Sequence, residues 1–182
     1  MMRLLASLAA GLRRFRRRED GNGTIEFVLV LPGFLLLFTS AYEGGVLSTR
    51  HVMLERGLDV TVREIRIGKI PFPTHENLVD RICDVASIIP DCTNQLRLEM
   101  INRNPRDWQT VSRDVQCIDR EEEGVPVLNP PSQDNNELMI LRVCALFDPM
   151  IPTNGLGKEI PKESGGAYAL VATSSYVMEP FK

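Results

Sequence analysis

The chain has 182 residues, 43% of them hydrophobic, and a formal net charge of −3, which fits one modest domain with additional segments. The charge is uneven: Arg3, Arg13, Arg14, Arg16, Arg17 and Arg18 against Glu19 and Asp20 leave residues 1–21 at net +4, so the remainder carries −7. That excludes a uniformly basic nucleic-acid-binding domain. A basic end, an apolar run and an acidic remainder form instead a membrane topology signal, in which cytoplasmic flanks keep Lys and Arg and the rest is exported.

In chain order, Met1–Leu12 is apolar but too short to span a bilayer. With the arginines after it, this stretch reads as an interfacial helix. The cluster Arg13-Arg-Phe-Arg-Arg-Arg18 is explained by anionic inner-leaflet lipid, at about 1 kcal/mol per basic side chain near the surface. Nucleic acid is the alternative partner, but the cluster is short and no basic domain stands behind it, so none is expected.

The densest apolar stretch is Phe27–Phe38, fading through Thr39, Ser40, Ala41 and Tyr42 to Glu43. With Thr24 and Ile25 it approaches the roughly 20 residues that cross a bilayer. A buried core helix and a secretory signal peptide, cut after Ser40-Ala41, are the competing readings. Glu26 stands at the start of the run, where an acid in a lipid-facing helix costs roughly 2.5–3.5 kcal/mol on insertion scales. The helix N-terminus tolerates an anion there. Pro32 removes one backbone donor, so the helix is expected to bend near Val28–Pro32 or to absorb the proline.

Beyond the membrane, Leu47, Leu54, Leu58, Val62 and Ile65 recur at helical spacing. Arg50, Glu55, Arg56, Asp59, Arg63 and Glu64 are read as the polar surface of this helix, and Gly68 and Pro71 as its end. A second helix is capped by Thr74, has Leu78, Ile82, Val85 and Ile89 on its apolar face, and stops at Pro90. Four strands are then expected, at 96–100, 111–117, 137–147 and 167–177. Arg113 marks the second as an edge, and the nearly all-apolar third reads as central. Residues 119–136 and 148–166 are polar or turn-rich connections. Asp134-Asn-Asn-Glu137 lacks the spacing and glycine of a calcium loop. The expected fold is α+β: a long N-terminal transmembrane and stalk helix, a second helix and a four-stranded, mainly antiparallel sheet. Its divisions are a leader (1–21), a membrane helix (22–47), a helical stalk (48–70) and an exported head (71–182).

All four cysteines follow the apolar run, and an even count in an exported domain favours disulfides. Three pairings are possible. The preferred pair of bonds is Cys83–Cys92, if the chain turns back at Pro90-Asp91, and Cys117–Cys144, if the second and third strands pair. Each contributes about 2–4 kcal/mol. There is no CxxC, and His51 and His75 are isolated surface positions, so no metal is expected. No G-x-S-x-G, P-loop or H-E-x-x-H occurs, so neither enzymatic activity nor a cofactor is expected.

Residues 13–32, Arg-Arg-Phe-Arg-Arg-Arg-Glu-Asp-Gly-Asn-Gly-Thr-Ile-Glu-Phe-Val-Leu-Val-Leu-Pro, resemble the N-terminus of the TadE/TadF-like minor pilins (pseudopilins) of tight-adherence (Flp, type IVb-like) pilus systems. The resemblance covers about residues 13–48. It implies a leader ending at Gly21, Asn22 as the first mature residue, Glu26 as the fifth and Phe27 as the sixth, with Pro32 matching a proline common in the family's helix. Gly23 is a rival cut that puts Glu26 third. The resemblance further implies processing by a prepilin peptidase, contact with other pilins, minor pilins and the inner-membrane assembly platform, and a role in pilus assembly or initiation for adhesion, biofilm formation or surface colonisation. The head is large for a major subunit of that family, which implies a minor role. The implied placement is the bacterial inner membrane, with the N-terminus cytoplasmic and the head periplasmic.

Overall fold

A computed structural model describes residues 22–104, 106, 110–112, 114–118, 138–153 and 155–177. The basic leader with Gly21, Arg113, the whole 119–136 connection with the Asp134–Glu137 stretch, and the C-terminal Met178–Lys182 lie outside them. Helix α1 (Asn22–Arg66) is followed by α2 (His75–Val85), the short α3 (Cys92–Gln95), strands β1 (Leu96–Arg103) and β2 (Leu138–Phe147), the short α4 (Gly155–Glu159), a 3₁₀ turn (Ser164–Gly166) and β3 (Tyr168–Val177). The chain divides into two units, one up to Thr39 and one from Ser40 onward.

In the second unit the sheet order is β1-β2-β3, antiparallel throughout, with the apolar β2 in the centre. Alternation along each strand sends Leu96, Leu98, Met100, Met139, Leu141, Val143, Ala145, Phe147, Tyr168, Leu170, Ala172 and Tyr176 into one core. The helices supply its other wall: Leu54, Leu58, Val62 and Ile65 from α1, and Leu78, Val79 and Ile82 from α2. Leu47 is only partly buried against it.

α1 stops where a left-handed residue becomes necessary. Gly68 has φ 74°, its N–H donates to Ile65 O at 3.0 Å, and the Lys69 N–H donates to Glu64 O at 3.0 Å. That pair of bonds satisfies carbonyls that the last turn leaves free. α2 starts at Thr74, whose hydroxyl accepts from the Asn77 N–H at 3.3 Å.

Three strands, not four, are present among the described residues. The expected strand at 111–117 has no ladder because its backbone bonds to side chains instead. The Gln116 N–H donates to Glu99 Oε1 at 3.1 Å, Arg97 donates to Cys117 O at 3.3 Å, and Arg142 donates to Ser112 O at 2.6 Å. These donors and acceptors lie on the sheet face opposite the core, where Glu99 and Arg142 are register partners and form a buried ion pair at 2.6 Å. Disulfides join Cys83 to Cys92 and Cys117 to Cys144, with Cα separations of 5.7 and 5.2 Å, both within the range such bonds span.

α2 lies close on α1 because Gly57 has no side chain. A Cβ there would stand 2.9 Å from Ile82 O and 3.1 Å from Ile82 Cγ2, whereas one on Gly45 would meet nothing within 4 Å. Gly57→Ala should therefore destabilise the head by about 1–3 kcal/mol through overpacking. Gly45→Ala should stabilise it by up to about 1 kcal/mol through helix propensity. Denaturant unfolding of the two variants, followed by near-UV circular dichroism, checks both signs.

Candidate functional site

Two stretches of α1 hold the residues of interest, and each belongs to a different unit. In the first, every residue from Gly23 to Val30 and from Pro32 to Phe38 is exposed. By length and composition α1 can cross a membrane, and none of its most apolar stretch is buried among the described residues. A soluble core helix would be covered. A signal sequence near the N-terminus satisfies the same measures of length and hydropathy.

Asn22 is the first helical residue, and the exposed Glu26 and Phe27 lie one turn further on. α1 runs through Pro32 as one continuous helix. The hydroxyl of Thr39 donates to Leu35 O at 2.8 Å and to Leu36 O at 3.1 Å, so it presents no unpaired donor to an apolar solvent. Phe34 and Phe38 stack one turn apart with ring centroids 6.3 Å apart. The result is an apolar rod bearing one carboxylate at its start.

The second stretch begins at Glu43, which ends the apolar run in sequence. It is only 2% exposed. Its Oε1 accepts from the Met150 N–H at 2.8 Å and its Oε2 from the Ile151 N–H at 3.2 Å. Charge-assisted bonds from backbone donors compensate a buried carboxylate. They also pin the 148–160 connection to α1, beside Gly44, where an added Cβ would touch Leu156 at 3.5 Å. Gly157 fits tightly there, since a Cβ would stand 2.5 Å from Ile151 O. No sequence periodicity announces this latch. Its signal is a lone acid between apolar residues and a pair of glycines.

Further along α1, two residues assigned to its polar surface face inward. Arg50 lies 5.0 Å over the Phe147 ring and donates to Tyr168 Oη at 3.1 Å. Glu64 is 8% exposed and accepts from Arg81 on both oxygens at 2.8 Å and from Lys69 at 2.7 Å. Hydrogen bonds from Arg81 first, then from Lys69, hold the Glu64 carboxyl down at about 2.

The histidines are not free surface groups either. His51 Nε2 is 3.2 Å from Val171 O. His75 Nε2 accepts from the Leu98 N–H at 3.4 Å; burial first, then the charge of Arg97, lowers its pKa. Among the described residues no cluster of three metal-ligating side chains occurs.

No family model matches the chain, and no curated protein or solved structure matches it.

Glu43→Ala leaves the Met150 and Ile151 N–H groups without their acceptors, at a cost of about 1–3 kcal/mol. Amide hydrogen exchange at those two positions should speed up, and Glu43→Gln, which keeps one acceptor, should fall between. For Glu64 the folded pKa is the depressed one. Its stabilising share is therefore complete above the unfolded value near 4.5 and disappears as pH falls through about 2. Between those values the slope of stability against pH should flatten in Glu64→Gln, as read from urea midpoints measured at several pH values.

Proposed function

We propose that the chain is a minor pilin or pseudopilin of a Tad/Flp (type IVb-like) pilus, anchored in the bacterial inner membrane by α1 and carrying its disulfide-stapled head in the periplasm. The observation that carries this reading is the apolar rod with Glu26 as its lone early carboxylate, uncovered among the described residues. An acid placed there has a use when a neighbouring helix brings it a cation.

In this reading a prepilin peptidase cuts after Gly21, where a glycine lets the backbone extend into a protease cleft. The freed amine of Asn22 then pairs with Glu26 of an adjacent subunit. A buried carboxylate left without a partner is penalised, so the pairing sets the register between subunits. The partners are other pilins and minor pilins, the inner-membrane assembly platform and the bilayer. The role is structural, in assembly or initiation of a pilus that serves adhesion, biofilm formation or surface colonisation. The +4 leader retained on the cytoplasmic side supports the orientation.

N-terminal sequencing of the protein recovered from membranes tests the proposal. A start at Asn22 that vanishes in cells lacking prepilin peptidase is the expected result, whereas a start at Thr24 moves the cut to Gly23. A start at Met1 identifies an uncleaved anchor and a start near Tyr42 a secreted domain; either overturns the pilin reading. In Glu26→Gln, incorporation and piliation should fall while the cut is retained.

A further inference from the structure

α2 approaches α1 at Gly57, which faces Ile82 and Ala86. The turn after α2 lies further toward the start of α1, because Ile88 lines a cleft of about 380 Å³ with Tyr42, Gly45, Val46, Thr49 and Arg50. α2 thus runs back along α1 toward Tyr42. The turn it delivers, Ala86-Ser-Ile-Ile-Pro90, carries no charge. Within it Ile89 is buried in the core, while Ile88 is 50% exposed beside Tyr42, itself 53% exposed.

The turn is also fixed. Cys83 and Cys92 close it covalently, Asp91 adopts a left-handed conformation with φ 49°, and the Asp91 carboxylate accepts from Asn94 Nδ2 at 2.7 Å. An exposed branched apolar side chain on so restrained a loop has a definite position in space.

That position has a definite environment if α1 spans the bilayer. Tyr42 follows the apolar run by four residues, where an aromatic ring with a polar tip prefers the membrane–water boundary. From Tyr42 to Val46 the helix rises about 6 Å, comparable with the roughly 5–8 Å depth of one headgroup layer. Ile88 shares the cleft with residues at both ends of that interval.

We propose that the α2–α3 turn is a second membrane contact, with Ile88 set into the interfacial layer of the same bilayer that α1 crosses. It rests on the transmembrane reading of α1. The Cys83–Cys92 bond then serves to present the turn.

The test places a single reporter at the turn. Trp108 is the chain's one tryptophan, so Ile88→Trp is made in a Trp108→Phe background, and Phe34→Trp in the same background marks the apolar run. The full chain is reconstituted in vesicles containing anionic phospholipid, with nitroxides either at the top of the acyl chain or near its end. The indole introduced at position 88 should lose emission to the shallow label and little to the deep one, whereas the indole at position 34 should lose it to the deep label. If the position-34 reporter is quenched and the position-88 reporter is not, the second contact is wrong and the span stands. If the position-34 reporter escapes both labels, the span reading fails and the inference fails with it. A blue-shifted but unquenched reporter at position 88 assigns the turn to a protein neighbour and overturns the proposal. Ser87→Trp, also on an exposed site of the turn, supplies the same reading should Ile88→Trp disturb the fold.

Discussion

A three-stranded sheet cannot enclose a core by itself, and this one buries only one of its faces in an apolar layer. The constraint that follows is that residues beyond Ser40 of α1 must act as a wall of the head. Much else in this unit answers to it. Leu54, Leu58, Val62 and Ile65 repeat at helical spacing to meet the strands, and Thr61 among them bonds its hydroxyl to Gly57 O at 2.8 Å, so that no donor is stranded inside. Gly57 opens the space α2 requires, and Arg50 and Glu64 fold their charges onto a ring and an ion pair. Asp59 reaches Ser174 on β3 at 3.0 Å. A helix that begins as an apolar rod in sequence thus becomes amphipathic when it has a sheet to cover.

The opposite face of the sheet is organised by charge. Glu99 and Arg142 are opposite each other in register and bury a salt bridge at 2.6 Å. Desolvating two ions is costly unless their remaining hydrogen-bonding capacity is used. Here the second oxygen of Glu99 and a further nitrogen of Arg142 take backbone groups from Gln116 and Ser112, which leaves only the Arg142 Nε of the pair without a partner among the described residues. The same atoms that compensate the pair fasten an irregular segment to the sheet, and the Cys117–Cys144 bond fixes it covalently beside them.

That arrangement explains what was and was not legible in the residues. Period-two alternation around Leu96–Met100, the apolar run at Leu138–Phe147 and the pattern at Tyr168–Val177 are properties of single segments, and these became strands with the apolar one central. The Thr74 cap and the Gly68 stop are equally local. The stretch 111–117 has strand-like alternation too, but its backbone bonding depends on three side chains from other strands, which no local pattern reveals. The same holds for Glu43. A carboxylate next to Gly44-Gly45 reads as solvent-exposed until residues more than a hundred positions away supply the donors. Gly21, Asn22, Glu26 and Phe27 are legible only as a spacing, since in the proposed function their chemistry would belong to a protease and to neighbouring helices rather than to this chain's own fold.

The Cys117–Cys144 bond has a consequence of another kind. Together with the β1–β2 register it closes the polypeptide into a covalent ring containing residues 118–143, rooted at a buried cysteine in the central strand. A single peptide-bond cleavage between residues 118 and 137, ahead of β2, leaves the two pieces joined through Cys117–Cys144, so a nick there would not shed a fragment. Lengthening the ring between residues 118 and 137 would cost little, because loop closure costs grow only slowly with length. The chain can therefore vary there in length and sequence while the three strands and the bond that closes the ring stay the same.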